Sequence, residues 1–129
     1  MDYNVGDTVS VVVSGESSGH DINGFDVLMS YDANKLEFVD VSPGLEQFQV
    51  FAFKHPTYIS ITGTKLVTIN TSTIFTGQPL LVAHFKVKTP GKAHFQIDEQ
   101  YNNEHSKMVD MQANSYPLDA EETLDIKLH

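Results

Sequence analysis

Apolar side chains alternate with polar ones along most of the chain, and this period of two residues constrains the fold more than any other feature. In residues 80–88, Leu81, Ala83, Phe85 and Val87 recur at every second position, and His84, Lys86 and Lys88 alternate with the last three. Side chains of a β-strand point alternately to the two faces of a sheet, so such a segment is buried on one face only. The pattern predicts strands rather than helices.

Turn signals separate nine such segments; the strongest are Pro43-Gly44 and Pro90-Gly91. Residues 98–119 are polar, and we expect a long loop there, with room for a short hairpin. Eight or nine strands without a convincing helix predict one all-β domain over residues 1–129, an antiparallel β-sandwich with jelly-roll topology. The predicted strands are residues 9–13, 25–31, 36–41, 48–53, 58–62, 65–70, 80–88, 93–97 and 123–128.

The charge balance and the absence of cysteine exclude several classes of function. Eight basic and 17 acidic residues give a formal charge of −9, which argues against nucleic acid and anionic membranes as partners. Without cysteine, the chain cannot form disulfides, a catalytic thiolate or a Cys-ligated zinc site. No apolar run approaches the roughly 20 residues of a membrane-spanning helix.

Six histidines raise the question of a metal site. His84 and His94 are predicted on adjacent strands, both pointing outward, but a metal site usually needs three or four ligands. The other four, which lie in loops or at the end of the chain, are His20, His55, His105 and His129. We therefore expect solvent-exposed histidines and no resident metal or other cofactor.

Carboxylate pairs such as Asp98-Glu99 and Glu121-Glu122 invite comparison with glycosidases. Those enzymes hold two carboxyl groups about 5 to 9.5 Å apart across a cleft, which a chain this short rarely builds. The sequence also lacks a phosphate-binding glycine loop, a nucleophile elbow and an EF-hand calcium loop. We expect no catalytic activity.

Three segments resemble the cohesin family: Gly-Asp-Thr-Val at residues 6–9, Phe-Asp-Val-Leu-Met-Ser-Tyr-Asp at 25–32 and Leu-Glu-Phe-Val at 36–39. The residue pattern of 76–87 and the Pro90-Gly91 turn also match the family, so the resemblance covers nearly the whole chain. It implies a nine-stranded jelly roll without catalytic residues that binds a dockerin. Dockerins are helical modules with paired calcium loops, so the calcium would belong to the partner.

The resemblance further implies a bacterial protein, secreted or on the cell surface, that tethers carbohydrate-active enzymes and is a monomer when unbound. The dockerin would lie on the face formed by the family's strands 8, 3, 6 and 5. These strands correspond to residues 93–97, 22–31, 58–64 and 48–53. Asp26 occupies the position of an aspartate that hydrogen-bonds the dockerin in many cohesins.

The alternation agrees with this placement, since Asp26 and Leu28 lie opposite the apolar side of their strand. We expect an exposed Leu28, because an apolar side chain beside polar groups suits an interface. In residues 48–53, the side chains that face out are either Phe48, Val50 and Ala52 or Phe51 and Phe53. We favour Phe51 and Phe53, as aromatic contacts with the partner. The predicted partner-binding residues are Asp26, Leu28, Phe51, Phe53, Tyr58, Ser60, Thr62, His94 and Gln96.

The sequence departs from the family pattern in two places, and the second departure points to a divergent cohesin from a secreted multimodular glycoside hydrolase. The family's first strand is absent or reduced to residues 1–5, and residues 65–70 are more strand-like than usual.

An alternative function is that of a carbohydrate-binding module, although the chain has no tryptophan. A third is a passive spacer, which predicts no exposed apolar patch on either sheet. The tyrosines available for a sugar platform are Tyr3, Tyr58, Tyr101 and Tyr116.

Overall fold

The computed structural model describes residues 2–66, 71–98, 100–101, 104–118 and 123–129, and every regular element among them is a β-strand. Within these ranges the segments with alternating polarity form strands, as their pattern predicts. The strands are β1 (Asp2–Tyr3), β2 (Thr8–Glu16), β3 (Gly24–Tyr31), β4 (Leu36–Pro43), β5 (Phe48–Lys54), β6 (Tyr58–Lys65), β7 (Thr76–Val87), β8 (Gly91–Asp98), β9 (Gln100–Tyr101), β10 (Glu104–His105), β11 (Lys107–Val109), β12 (Ser115–Pro117) and β13 (Thr123–Leu128).

The strands form two main sheets that pack face to face. The larger sheet has the order β1-β13-β8-β3-β6-β5, and the smaller one has the order β2-β7-β4. Neighbours are antiparallel except β1, which runs parallel to β13 and supplies the short first strand that the sequence predicted as reduced. β9 and β10 pair with each other. The expected all-β sandwich is confirmed.

The core lies between the two sheets and is centred on aromatic rings. Phe85 of β7, in the smaller sheet, is fully buried and meets rings of the larger sheet, with its centroid 4.9 Å from that of Phe95 and 5.0 Å from that of Tyr31. Leu81 and Ala83 are buried beside it, as the alternation predicts. Burial of each large apolar side chain contributes about 1.5–3 kcal/mol, so these contacts hold the sheets together.

Strand β3 is paired on both edges, and its partner on one edge changes part-way along. Residues 24–30 pair with β6 on one side. On the other side, residues 24–26 pair with β11, whereas residues 28–31 pair with β8. The hairpin β11–β12 therefore widens the larger sheet beside the first half of β3.

Two expectations about the chain path need correction, and a third falls mostly outside the described residues. His84 and His94 do not lie on adjacent strands, because β7 belongs to the smaller sheet and β8 to the larger one. Residues 98–119 are not simply a loop, since their described part contains β9 to β12. The strand predicted at residues 65–70 begins where β6 ends at Lys65, and residues 67–70 lie outside the described residues.

Asp21 connects the segment after residue 70 to the end of β6. Its Oδ1 accepts hydrogen bonds from the backbone N–H of Thr73 at 2.6 Å and from the Lys65 ammonium at 3.3 Å. The Thr73 N–H, more than Lys65, holds the pKa of Asp21 below its usual value, because both donors favour the ionised carboxylate. This arrangement keeps residues 71–75 against the sandwich.

Candidate partner-binding face

The outward side of β8, β3, β6 and β5, here called the outer face, brings most of the predicted site residues together. Strand pairing aligns them in two rows that cross the sheet. Phe51, Thr62 and Asp26 are direct neighbours in the first row. Phe53, Ser60 and Leu28 form the second in the same way. The predicted adjacency of these four strands is confirmed by the pairing.

Strand β5 presents its two phenylalanines to solvent. Phe51 is 48% and Phe53 is 58% exposed, whereas Phe48 is buried and Val50 and Ala52 pack against the core. The expected outward direction of Phe51 and Phe53 is therefore confirmed. An exposed aromatic pair is unexpected for a passive spacer, because unpartnered apolar surface is costly in water.

Asp26 lies half-buried near the middle of the outer face. Its Oδ1 accepts a hydrogen bond from the Thr62 hydroxyl at 2.7 Å, and its Oδ2 is 3.9 Å from the Lys107 ammonium. Lys107 stands directly opposite Asp26 on β11, so strand pairing positions both neighbours of the carboxylate. The sequence predicted the direction of Asp26 but not this cationic neighbour.

Leu28 has the predicted direction, but its expected exposure is wrong. It points to the outer side of β3 and yet is only 1% exposed. The chain turns back beside it, and the Leu28 N–H donates to the Ser106 hydroxyl at 2.9 Å where β3 changes partner between β11 and β8. Ser106 in turn donates to the Asp98 carbonyl at 2.5 Å. Residues 105–107 thus border Leu28, and it becomes the floor of a depression.

This depression, here called the pocket, has a volume of about 450 Å³. Five predicted site residues line it, and they are Asp26, Leu28, Phe53, Ser60 and Thr62. Three residues that sequence reasoning missed complete the lining, namely His55, His105 and Lys107. His55 continues the outward parity of Phe51 and Phe53, a signal that could have identified it. Lys107 carries no such signal, because the long-range pairing of β11 brings it to β3. His105 lies two residues before it on β10, which pairs with β9.

Tyr58 also lies on the outer side of β6, but it is 4% exposed and therefore not an open aromatic surface. Its ring stacks on that of His55, with centroids 4.3 Å apart and planes 7° apart. The Tyr116 ring likewise stacks on His20, with centroids 3.8 Å apart. Both tyrosines have at least one ring face covered by an imidazole, which weakens the case for a sugar platform.

The two predicted residues of β8 lie further along the outer face. Gln96 is exposed opposite Ser30 of β3, and His94 is half-buried. Their neighbour Phe95 points into the core, which confirms the outward direction of both. Neither lines the pocket.

A family model for the cohesin domain matches residues 1–117 of the sequence. The chain belongs to the cohesin family. Cohesin domains are non-catalytic interaction modules, so this domain is an interaction module rather than an enzyme. A search of curated protein sequences gives no match.

Solved cohesin structures share the fold of this domain at low sequence identity. A cohesin module from a family 33 glycoside hydrolase of Clostridium perfringens superposes with a TM-score of 0.81 at 12% identity, over 99% of this chain and 90% of that chain. The sixth cohesin of scaffoldin B from Acetivibrio cellulolyticus, in complex with a Cel5 dockerin mutant, gives 0.70 at 20% identity over 99% and 93%. A type I cohesin–dockerin complex from Clostridium thermocellum gives 0.66 at 14% identity, again over 99% and 93%.

The described part of this cohesin contains no cluster of three or more His, Cys, Asp or Glu side chains placed to hold a metal ion. His84, one of the two histidines considered as ligands, instead pairs with Asp40, whose Oδ1 is 2.6 Å from its Nδ1. Among the same residues no helix is long and apolar enough to cross a bilayer.

Proposed function

We propose that this cohesin binds a dockerin through its outer face. The observation that carries the proposal is the row of direct strand neighbours from exposed Phe51 to Asp26, on a sheet with the strand order expected for dockerin binding. The complexes of structurally similar cohesins with dockerins support this choice of partner.

The residues of the outer face would contribute to binding in different ways, according to their chemistry. Phe51 and Phe53 provide apolar area that becomes buried in a complex, and such aromatic contacts often dominate interface energetics. Asp26 accepts a hydrogen bond from the partner, and Leu28 forms an apolar floor beneath an inserted side chain. Around these, the amide of exposed Gln96 offers further hydrogen bonds, and half-buried Thr62 and His94 lie beside it on the face. Tyr58 and Ser60 belong to the same face but are buried in the free domain.

In this proposal the calcium resides in the dockerin, and the complex tethers a secreted carbohydrate-active enzyme outside the cell or at its surface. The similar fold of a cohesin module from a glycoside hydrolase supports an enzyme of this class as the parent protein. Complex formation would then depend on calcium, whereas folding of this domain would not.

The test is a pull-down with the immobilised domain and the secreted proteins of the source organism, first with calcium and then with EDTA. We expect a dockerin-bearing protein to be retained with calcium and released by EDTA. Mass spectrometry identifies it, and calorimetry with the purified partner gives its affinity. Retention that EDTA does not affect, or no retention by a folded domain, would contradict the proposal.

Two controls separate effects on the partner from effects on this domain. The thermal unfolding midpoint of the domain alone should be the same in calcium and in EDTA. Electrophoresis through gels that contain soluble polysaccharides should show no retardation, whereas clear retardation would favour a carbohydrate-binding module.

A further inference from the structure

Lys107 of β11 lines the pocket beside the outer face, and its position indicates which partner side chains the pocket accepts. It lies 81 positions after Asp26 in the sequence, yet the β11–β3 pairing places the two residues directly opposite each other. The Lys107 Nζ is 3.9 Å from Asp26 Oδ2, and the side chains are 40% and 36% exposed. The lysine is thus accessible to a bound partner.

Asp26 has little free capacity to attract a cation. Its Oδ1 is engaged by the Thr62 hydroxyl, and Lys107 balances its charge from the other side. Asp26 is also the only carboxylate among the described residues that line the pocket. A basic side chain that entered the pocket would meet Lys107 at short range, and the described lining residues supply no further acid to compensate.

An acidic side chain would meet the opposite situation. Lys107 can turn its flexible ammonium from Asp26 to a partner carboxylate, because 3.9 Å is longer than a close charge-assisted hydrogen bond. Asp26 keeps its hydrogen bond from Thr62 during this change. The imidazoles of His55 and His105 in the pocket wall offer additional N–H donors.

We propose that Lys107 is a specificity-determining residue that selects dockerins presenting an acidic side chain to the pocket and disfavours those presenting a basic one. This inference rests on the proposed dockerin-binding function. In this proposal selectivity comes from β11, which pairs with one edge of β3. It does not come from the pairing of β3, β6 and β5, which aligns Asp26 with the phenylalanines.

The test is a selection experiment with a surface-displayed library of calcium-loaded dockerin modules in which the exposed helix positions are randomised. It is run in parallel on the wild-type domain, Lys107→Glu and Lys86→Glu. Lys86 is an exposed lysine of β7 in the smaller sheet, so Lys86→Glu makes the same charge change away from the outer face. Circular dichroism confirms folding, and the milder Lys107→Gln replaces Lys107→Glu if the latter does not fold.

We expect Asp and Glu to be enriched in clones selected on the wild type and on Lys86→Glu. Lys and Arg should be enriched on Lys107→Glu, and Lys107→Gln should abolish the acidic bias. A clone selected on the wild type should bind Lys107→Glu about tenfold more weakly and Lys86→Glu within about twofold of the wild type.

The outcomes distinguish this inference from the function on which it rests. Clones that bind through the outer face but show the same charge preference on the wild type and on Lys107→Glu would overturn the role of Lys107 alone. A complete absence of calcium-dependent binders on the folded wild type would overturn dockerin binding and the specificity proposal together.

Discussion

The Thr62 hydroxyl donates a hydrogen bond to Asp26 Oδ1 across the β6–β3 pair, at 2.7 Å. This bond fixes the orientation of the carboxylate before any partner arrives. A preoriented acceptor loses less conformational freedom on binding, so its contribution to affinity is larger than that of a mobile side chain. Asp26 also lines the pocket and is 36% exposed, so its carboxylate is accessible to a partner donor.

Replacement of Asp26 by alanine should weaken dockerin binding by about 1–3 kcal/mol, because a partner donor then loses its acceptor. Calorimetry with the purified partner measures the change. Asp40→Ala is the matched control, since Asp40 is an exposed aspartate of β4 in the smaller sheet. An unchanged affinity for Asp26→Ala would remove Asp26 from the site.

The double variant Phe51→Ala/Phe53→Ala should lose binding by about 2 kcal/mol or more, as expected for aromatic side chains that become buried in an interface. Stability in urea should change little, because both side chains are about half exposed in the free domain. Val12→Ala, at a 50% exposed position of β2, controls for loss of apolar surface elsewhere. Full affinity in the double variant would place the dockerin on another surface.

Gly63→Ala should destabilise the domain by about 1–3 kcal/mol, because the phenyl ring of Phe25 lies where the new methyl group would be. Phe25 and Gly63 are direct neighbours across β3 and β6. Urea unfolding of Gly63→Ala, Phe25→Leu and the double variant measures their coupling. We expect the double variant to be more stable than the sum of the two single effects predicts. Strict additivity would show that the ring does not limit position 63.

Asp21 should make stability depend on pH in the acidic range. Its pKa is lowered in the folded state, so its stabilising effect is complete above the unfolded value of about 3.9 and is lost as the pH falls below it. Urea midpoints between pH 5 and pH 3 should therefore fall less steeply for Asp21→Asn than for the wild type.

Lys65→Met is the informative companion to this variant. It should keep part of the pH dependence, because the Thr73 N–H is the main cause of the lowered pKa and remains in place. Equal slopes for the wild type and Asp21→Asn would show that this carboxylate does not contribute to acid unfolding.

The alternation of polarity was sufficient to predict the class of fold and the direction of individual side chains. Phe25, Val27 and Met29 are buried, while Asp26 between them reaches the outer face. The prediction succeeded because successive side chains of a strand must point to opposite faces, whatever the neighbouring strands are. The cohesin resemblance added the order of the strands, which periodicity alone does not contain.

The pocket could not be predicted in the same way. Its wall comes from His105 and Lys107, which lie in a polar segment without clear periodicity. The same segment explains why Leu28 is buried rather than exposed, and why Asp26 has a cationic neighbour. His84 and His94 show a related failure, because a turn signal does not reveal whether the next strand joins the same sheet.

By itself, therefore, the sequence determined an all-β sandwich, its core residues and the outward direction of Asp26, Phe51 and Phe53, because these depend on a local period of two residues. Only the tertiary structure decided that Leu28 is covered, that Lys107 faces Asp26 and that the outer face contains a pocket. These features depend on pairing between β3 and β11, strands about 80 residues apart in the sequence. Such pairing reflects the packing of the whole chain rather than any local pattern.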